Sequence, residues 1–544
     1  MVSRTVQAYR LSPAHRQRLL HASAVRRIRL RVYTGSPISF PPTLVPPVQR
    51  RAYVKPSESK PAIATSPSSE HEPLLNTPPP PASEPPQTPD LPQHVLAFLP
   101  FSQIVKTYLI TLALSNPILY HLCFSALHLL AYPPHPVLDP DKNRALGYLL
   151  KKTFYSQFCA GENKAEVEKT AAKVRSVGYD GLSLEFALEV LLDEIESSEH
   201  ETPEETAKAI ETWRNGMLQT VEMVREGEFA ALKWSGLGRH ALHLLKHNQP
   251  PTPAMADALD AVCSLASRRR VSLLPGAEEE ITNPGIDKWT LALMAKYNRA
   301  PYSEPAQPVM YNTYQAYLRS TPAKLAQHLR LARDQDFAIG VKLVRGAYMA
   351  SEPPGAIWAT KEQTDAAYDG LAAELLGRKC GEWLQMGPQG SAGEAWPQLA
   401  LVLATHNITS VRRAQALRNR LLVTTPPSFS PTPLAFAQLQ GMADEVGCEI
   451  IATAAAARRF NSSPPPSFPV DVAPQGQMQV DVPRAFKNIV WGTPGECLQF
   501  LLRRAQENRD AVGRTEGTRK AMGQEMVRRL RLRVRTLGRR SGKI

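Results

Sequence analysis

The chain has 544 residues, 43% of them hydrophobic, so it is long enough for one large domain or several ordinary ones. Its net charge of +14 is uneven: residues 1–57 carry +11, residues 509–544 carry +9, and the body between them carries −6. A mildly acidic body disfavours a nucleic-acid-binding surface on the main domain. The six cysteines form no C-x-x-C pair and accompany no histidine cluster, so we predict neither a metal site nor a disulfide framework.

The first 92 residues read as a targeting segment followed by a linker. Residues 1–35 are rich in arginine, contain serine and lack acidic residues. This composition is typical of a mitochondrial transit peptide, although a disordered basic arm has the same composition. Residues 36–92 are dense in proline and serine, which predicts a disordered linker that buries too little apolar surface to fold.

A helical N-terminal segment is predicted over residues 93–170, and its first part, residues 93–132, is strongly apolar. A membrane-spanning helix needs about 20 uninterrupted apolar residues. Here Lys106 and the breaker Ser115-Asn116-Pro117 divide the run. Two packed helices are therefore favoured over a single span, and peripheral contact with a membrane remains an open alternative.

From about residue 170, short apolar runs alternate with amphipathic stretches such as residues 201–227 and 321–336. The candidate strands cover residues 181–186, 228–236, 270–276, 308–317, 337–346, 399–407, 434–442 and 487–492. Alternating strands and helices imply a parallel sheet, and eight such units predict an α/β fold, a (β/α)8 TIM-like barrel, over residues 171–510. We expect disordered termini, including a basic C-terminal tail over residues 511–544, and disordered insertions around residues 387–397 and 461–477.

Polar side chains follow several of the predicted strands, at the end where such barrels carry their active sites. They are Lys233, Gln315, Lys342, Arg345, Thr405, His406, Asn407, Gln438 and Gly441, and Arg503 and Arg504 lie on the helix after the eighth strand. Each residue alone has an ordinary structural explanation, but together they predict a cationic rim for an anionic ligand. Carboxylate and phosphate are the groups that arginine binds with two hydrogen bonds. No G-x-G-x-x-G fingerprint follows a strand, so any dinucleotide is not held in the Rossmann manner.

Several segments together resemble the proline dehydrogenase family in its fungal mitochondrial form. They include FYSQFCAGEN (154–163), FAALKWSGLG (229–238), YNTYQAYL (311–318), VKLVRGAYMASE (341–352), LVLATHN (401–407), LAFAQLQGMAD (434–444) and LLRRAQEN (501–508). The resemblance covers about residues 95–510, and it is the order and combination of these pieces that is specific.

The resemblance implies a (β/α)8 barrel that holds FAD, oxidises L-proline to Δ1-pyrroline-5-carboxylate and passes electrons to ubiquinone, with L-proline or an analogue as the substrate. It places the protein in mitochondria, on the matrix side, in peripheral contact with the inner membrane. Carried over by resemblance, Lys233, Arg503 and Arg504 grip the substrate carboxylate, Leu439 packs on the proline ring and Glu507 orients the arginine helix. Gln315 and Lys342 contact the flavin ring, and Arg345, Gly346, Thr405, His406 and Asn407 line the rest of FAD.

Three positions depart from the family pattern. Gly276 replaces an aspartate in Gly276-Ala277-Glu278, Asn488 replaces a tyrosine, and Phe500 replaces another tyrosine. These departures leave open a hydroxyproline-oxidising enzyme or a catalytically impaired flavin-binding paralogue. A further alternative is a membrane or nucleic-acid binder that works through the basic residues 528–540.

Overall fold

The computed structural model describes residues 94–541, with gaps at 189–200, 300–306, 350, 387–394, 427–429, 464–478 and 510–511. The predicted transit peptide, the linker and most of both predicted insertions lie outside the described residues.

Eight parallel strands form the centre of the fold. They are β1 (Gly181–Phe186), β2 (Phe229–Leu232), β3 (Ser272–Pro275), β4 (Tyr311–Gln315), β5 (Ile339–Val344), β6 (Leu399–Ala404), β7 (Leu434–Leu439) and β8 (Ala485–Trp491). Their order is β3-β2-β1-β8-β7-β6-β5-β4. A parallel bridge between Leu273 and Met310 joins β3 to β4, which closes the barrel. All eight predicted strands and the predicted barrel are confirmed.

Helices surround the barrel and extend beyond both of its ends. They are α1 (Phe101–Ser115), α2 (Pro117–Ala131), α3 (Arg144–Leu150), α4 (Lys164–Val177), α5 (Pro203–Met223), α6 (Arg239–Lys246), α7 (Pro253–Arg269), α8 (Asn283–Tyr297), α9 (Thr321–Asp334), α10 (Lys361–Gly377), α11 (Ile408–Thr424), α12 (Asp444–Ser462), α13 (Pro494–Arg509) and α14 (Val512–Ser541). Helix α5 begins with a capping box in which Thr202 and Glu205 satisfy each other's backbone N–H groups.

The interior of the barrel is filled at the end where the strands begin. Phe229, Tyr311 and Phe486 lie at the starts of β2, β4 and β8 and belong to one buried cluster. The rings of Phe229 and Phe486 pack edge to face, with their centres 4.9 Å apart. Because these aromatic side chains fill the end of the barrel where the strands begin, the polar residues that follow the strands lie at the opposite end.

The N-terminal apolar segment forms two helices, as the sequence predicts. The side chain of Asn116 accepts hydrogen bonds from the N–H groups of Ile118 and Leu119 and so caps α2. Among the described residues, no single helix is long and apolar enough to cross a membrane; Phe101–Ala113 and Ile118–Ala131 reach that length and apolarity only as a pair bent by 103°.

The C-terminal residues differ from expectation, because residues 512–541 form the helix α14 instead of a disordered tail. Met522 of this helix is fully buried with Leu96, Leu99, Ile104 and Cys448. The high charge density of the segment hid this apolar stripe, which needs α1 and α12 as partners to become a buried face.

Candidate functional site

Lys233 follows β2 and lies at the mouth of the barrel with only 5% of its surface exposed. Its ammonium group donates hydrogen bonds to the carbonyl oxygen of Ala277 (3.4 Å) and to the hydroxyl of Tyr348 (3.3 Å). The carboxylate of Glu278, itself buried, lies 3.9 Å from Lys233 Nζ. A buried ammonium group is stable only where anionic or carbonyl oxygens surround it. The loop after β3, which contains Ala277 and Glu278, supplies both kinds of oxygen.

Two more predicted site residues reach the same loop from other strands. Lys342, on β5, donates a hydrogen bond to the carbonyl oxygen of Pro275 at 2.7 Å. Gln315, at the end of β4, donates to the carbonyl oxygen of Glu278 at 2.7 Å. Lys233, Gln315 and Lys342 therefore converge on residues 275–278 from three strands, and their role in one functional site stays a prediction.

Gly276, the first departure from the family pattern, lies directly against Lys233. A Cβ atom at this position would be 2.9 Å from Cδ and 3.1 Å from Cε of Lys233. The lysine side chain thus occupies space that a larger residue would take. The loss of the aspartate does not leave Lys233 without an acidic neighbour, because Glu278 is close to it.

Arg345, predicted to line the cofactor, is held at the edge of the site by several neighbours. It forms an ion pair with Asp365 (Nε to Oδ1, 2.7 Å) and donates to the hydroxyls of Thr405 and Ser410, each at 2.9 Å. Its guanidinium lies 4.2 Å from the ring centre of Tyr368. Burial alone would raise the pKa of Asp365, but hydrogen bonds from a lysine and from Arg345 lower it below its usual value. Arg345 thus ties the end of β5 to α10 and α11.

The residues after β6 are fixed by hydrogen bonds to one another and to β7. Thr405 Oγ1 accepts from the backbone N–H of Asn407 at 3.0 Å, and Asn407 caps α11. The Nε2 atom of His406 accepts from the backbone N–H of Leu439 at 3.2 Å. The structure therefore brings Leu439, the predicted substrate contact, next to the predicted cofactor residue His406.

Gly346 follows Arg345 and lies next to Gln315, so it stands between the residues around Lys233 and the residues around Arg345. Its φ of +154° and the ring of Tyr317, 2.4 Å from where a Cβ would lie, leave no room for a side chain. The next residue, Ala347, donates its backbone N–H to Oε1 of Gln315 at 3.2 Å. The amide of Gln315 is thereby fixed at both ends, since its nitrogen already donates to Glu278.

Glu185 lies close to the predicted site residues but was not identified from the sequence. It lies near the end of β1, is buried, and accepts a hydrogen bond from the side-chain amide of Asn488 on β8 at 3.0 Å. Asn488 pairs with Leu439 in the register of β7 and β8, so it is next to the predicted substrate contact. An acidic residue in the apolar run GLSLEF was the available signal.

Lys487 and Asp444 were also missed, and they support the loop after β7. Their side chains are 1% and 0% exposed and form an ion pair of 2.7 Å. Lys487 also donates to the carbonyl oxygens of Met442 (3.2 Å) and Leu439 (3.4 Å). Gln103, on α1, donates to the second oxygen of Asp444 at 3.0 Å. The loop that begins at Leu439 is therefore held from behind by a buried charge pair.

Arg503, Arg504 and Glu507 lie on α13, and their side chains are outside the described residues. The preceding part of the helix packs Cys497, Phe500 and Leu501 against Ala187 and Val490, beside the ends of β1 and β8. Phe500, the third departure from the family pattern, is buried in this apolar cluster. Whether the two arginines meet Lys233 stays a prediction.

The donor set at the barrel mouth fits a planar, anionic cofactor. Lys342 contributes a cation and Gln315 a buried amide. The interior faces of β6 and β7 carry Val402 and four small residues, namely Ala400, Ala404, Ala435 and Ala437. Interiors of such barrels are usually filled by branched residues, so Ala404 and Ala437, which lie toward the ends of β6 and β7, leave more space for a ring system at the mouth. Among the described residues, no group of three or more His, Cys, Asp or Glu side chains is arranged to hold a metal ion.

Comparisons with known proteins find one matching family profile and several similar proteins. The profile described as "Proline dehydrogenase" matches residues 167–517. Hydroxyproline dehydrogenase from Bos taurus is 27% identical over 427 residues, 71% of this chain and 83% of the relative. Proline dehydrogenase 1, mitochondrial, from Arabidopsis thaliana is 26% identical over 428 residues, 70% of this chain and 75% of the relative. A crystal structure of proline utilization A (PutA) from Bdellovibrio bacteriovorus, inactivated by N-propargylglycine, covers 76% of this chain at 15% identity with a TM-score of 0.48, and this chain spans 41% of that one.

Proposed function

Since the chain belongs to the proline dehydrogenase family of oxidoreductases, we propose that it oxidises L-proline to Δ1-pyrroline-5-carboxylate with FAD as its cofactor. The observation that carries this proposal is the convergence of Lys233, Gln315 and Lys342 on residues 275–278. One of these residues was expected at the substrate and two at the flavin. Their meeting on one loop supports a single site that serves both molecules.

Each residue has a definite task in the proposed reaction. Lys233 binds the substrate carboxylate, together with Arg503 and Arg504 from α13, and Leu439 packs on the apolar ring. A fixed substrate gains rate by proximity, because the reacting carbon no longer has to find its acceptor by diffusion. Burial of Lys233 strengthens its attraction for a carboxylate by excluding water.

The residues of β4 to β6 hold FAD in this proposal. Gln315 and Lys342 contact the flavin ring, and Arg345, Gly346, Thr405, His406 and Asn407 line the remainder. FAD supplies the acceptor for the hydride that leaves the carbon next to the ring nitrogen. The cation of Lys342 favours an electron-rich, reduced ring beside it.

We further propose that electrons pass to ubiquinone, and that the protein works in mitochondria on the matrix side of the inner membrane. The mitochondrial location is supported by the arginine-rich, acid-free residues 1–35 and by the Arabidopsis relative, which is named mitochondrial.

The test is the absorption spectrum of the purified full-length protein under anaerobic conditions. The proposal expects a bound flavin whose visible absorption bleaches when L-proline is added. A protein that takes up FAD and never bleaches with any imino acid would support the catalytically impaired paralogue instead. A protein that takes up no FAD would contradict the proposed function.

A second candidate substrate is hydroxyproline, and a specific observation favours it. Asn488 stands where the family pattern has a tyrosine and forms a hydrogen bond with the buried Glu185. A polar pair in place of an aromatic ring provides hydrogen-bonding partners for a ring hydroxyl. Faster flavin bleaching with 4-hydroxyproline than with proline, and a reversal of that preference in Asn488→Tyr, would establish this alternative. If Asn488→Tyr and the unchanged protein show the same preference between the two substrates, a role of Asn488 in substrate choice is excluded.

A further inference from the structure

Exposed large apolar side chains are concentrated in one part of the described chain. Of 18 such side chains, 11 lie between Phe98 and Leu149 and three lie on α14, which leaves four for all other described residues. Isolated exposed apolar residues are normal, whereas concentrated ones mark a surface that binds something.

Helix α2 contains no Lys, Arg, Asp or Glu and carries large apolar residues on both of its sides, with His121, Ser125 and His128 as its exposed polar residues. Its inner side packs Phe124, Leu127 and Leu130 against Leu498 and Leu502 of α13. The outer side presents three more apolar residues at helical spacing, with exposed fractions of 78% for Ile118, 67% for Leu122 and 44% for Leu129. A helix that is apolar all round normally lies in a protein core or in lipid.

A strongly basic helix lies next to this apolar region. Helix α14 contains ten Lys or Arg residues and two Glu residues. It packs along α1 through Met522 and Ile104, and α1 leads directly into α2 through Asn116. Arg531 and Arg533 of α14 are exposed, as are the apolar side chains of Val527, Leu530 and Leu532 between and beside them.

We propose that α1, the outer side of α2 and the basic helix α14 form a docking surface for a bilayer that contains anionic phospholipids. The apolar side chains of α2 enter the boundary between head groups and acyl chains, and the arginines of α14 contact the phosphates. Charge complementarity selects this occupant, because the surface joins a charge-free apolar helix to a helix of net positive charge. The inference rests on the proposed function for the identity of the membrane, and it names the surface that would bring the barrel to a lipid-soluble acceptor.

The experiment is co-sedimentation of the full-length protein with phosphatidylcholine vesicles, with and without cardiolipin. We expect binding to vesicles that contain cardiolipin, weaker binding to phosphatidylcholine alone, and loss of binding as salt is raised. Ile118→Gln with Leu122→Gln should weaken partitioning on the order of 100-fold, because two large apolar side chains no longer enter the bilayer. Arg531→Glu with Arg533→Glu should weaken it at least about tenfold, and only for vesicles that contain cardiolipin.

Matched control variants change the same residue types away from the proposed surface. Ile281→Gln with Val423→Gln alters two exposed apolar residues, and Arg420→Glu with Arg459→Glu alters two exposed arginines. The controls should bind as the unchanged protein does, and the basic N-terminal residues are common to all variants. The proposal would be overturned if both the α2 and the α14 variants bound vesicles as strongly as the unchanged protein. It would also be overturned if the α2 variant changed a dimer into monomers without affecting vesicle binding. Flavin bleaching by substrate in detergent-free solution is measured in parallel, so failure of docking is distinguished from failure of the reaction.

Discussion

The buried pair Lys487–Asp444 should contribute strongly to stability, and Asp444→Asn tests this directly. The change leaves the ammonium of Lys487, which is 1% exposed, with the carbonyl oxygens of Met442 and Leu439 and without the carboxylate that pairs with it. Removing one partner of a buried pair costs about 3–5 kcal/mol. With about 400 described residues and an unfolding entropy of about 2.1 cal/mol/K per residue, the loss corresponds to a fall in melting temperature of about 4–6 °C.

The assay is thermal unfolding of the holoprotein followed by circular dichroism at a fixed scan rate. Lys487→Met and Asp444→Leu should each lower the melting temperature by a similar amount, and their combination should cost much less than the two single losses together. The pair of the exposed Lys142 with the half-buried Asp139 is the control, and Lys142→Met should leave the melting temperature unchanged. Additive losses at 487 and 444, or no loss at either, would refute the reasoning.

Three further predictions follow from other parts of the structure. Gly276→Ala places a Cβ 2.9 Å from Cδ of Lys233 and should raise the KM for the imino acid about tenfold at unchanged flavin content. Gly377→Ala is the control, because its added Cβ meets nothing within 4 Å, and it should leave the KM unchanged. Equal KM values in the two variants would show that Lys233 is not at the substrate. Burial lowers the pKa of His328 below its ordinary 6.5, so the unfolded chain binds the proton more readily than the folded chain. The free energy of unfolding should therefore fall as pH drops below about 6.5, by up to about 1.4 kcal/mol per pH unit. His328→Gln should flatten this slope in urea unfolding measured at different pH values, and an unchanged slope would contradict the assignment. Thr518→Val removes the hydroxyl that donates to Glu445 at 2.8 Å, should cost about 1–3 kcal/mol and should speed proteolysis of α14; an unchanged cleavage rate would show that this contact does not anchor the helix.

The strands could be predicted because each is a short apolar run between amphipathic stretches. The rule that barrel chemistry lies where strands end then selected Lys233, Gln315 and Lys342 as candidates, which the structure brings together on one loop. Local pattern was sufficient to predict that these residues lie together, and their role in the reaction stays a prediction.

Pairings between distant parts of the chain could not be predicted in the same way. Glu185 and Asn488 are 303 positions apart, and their contact depends on the register between β1 and β8. The partners of Arg345 lie on two helices and on the loop after β6, so its ion pair with Asp365 has no local signature. The helical state of α14 depends on burial of Met522 against α1 and α12, which its own charge-rich sequence conceals.

The most direct test of the proposed site is stopped-flow reduction of the bound flavin in Lys233→Met. If Lys233 holds the substrate carboxylate, the variant should retain its flavin and require at least about a hundredfold more proline for half-maximal reduction, since a buried charge-assisted contact contributes several kcal/mol. Lys142→Met, on the surface, should behave as the unchanged protein does. Reduction of the Lys233→Met protein at the unchanged proline concentration would contradict the account.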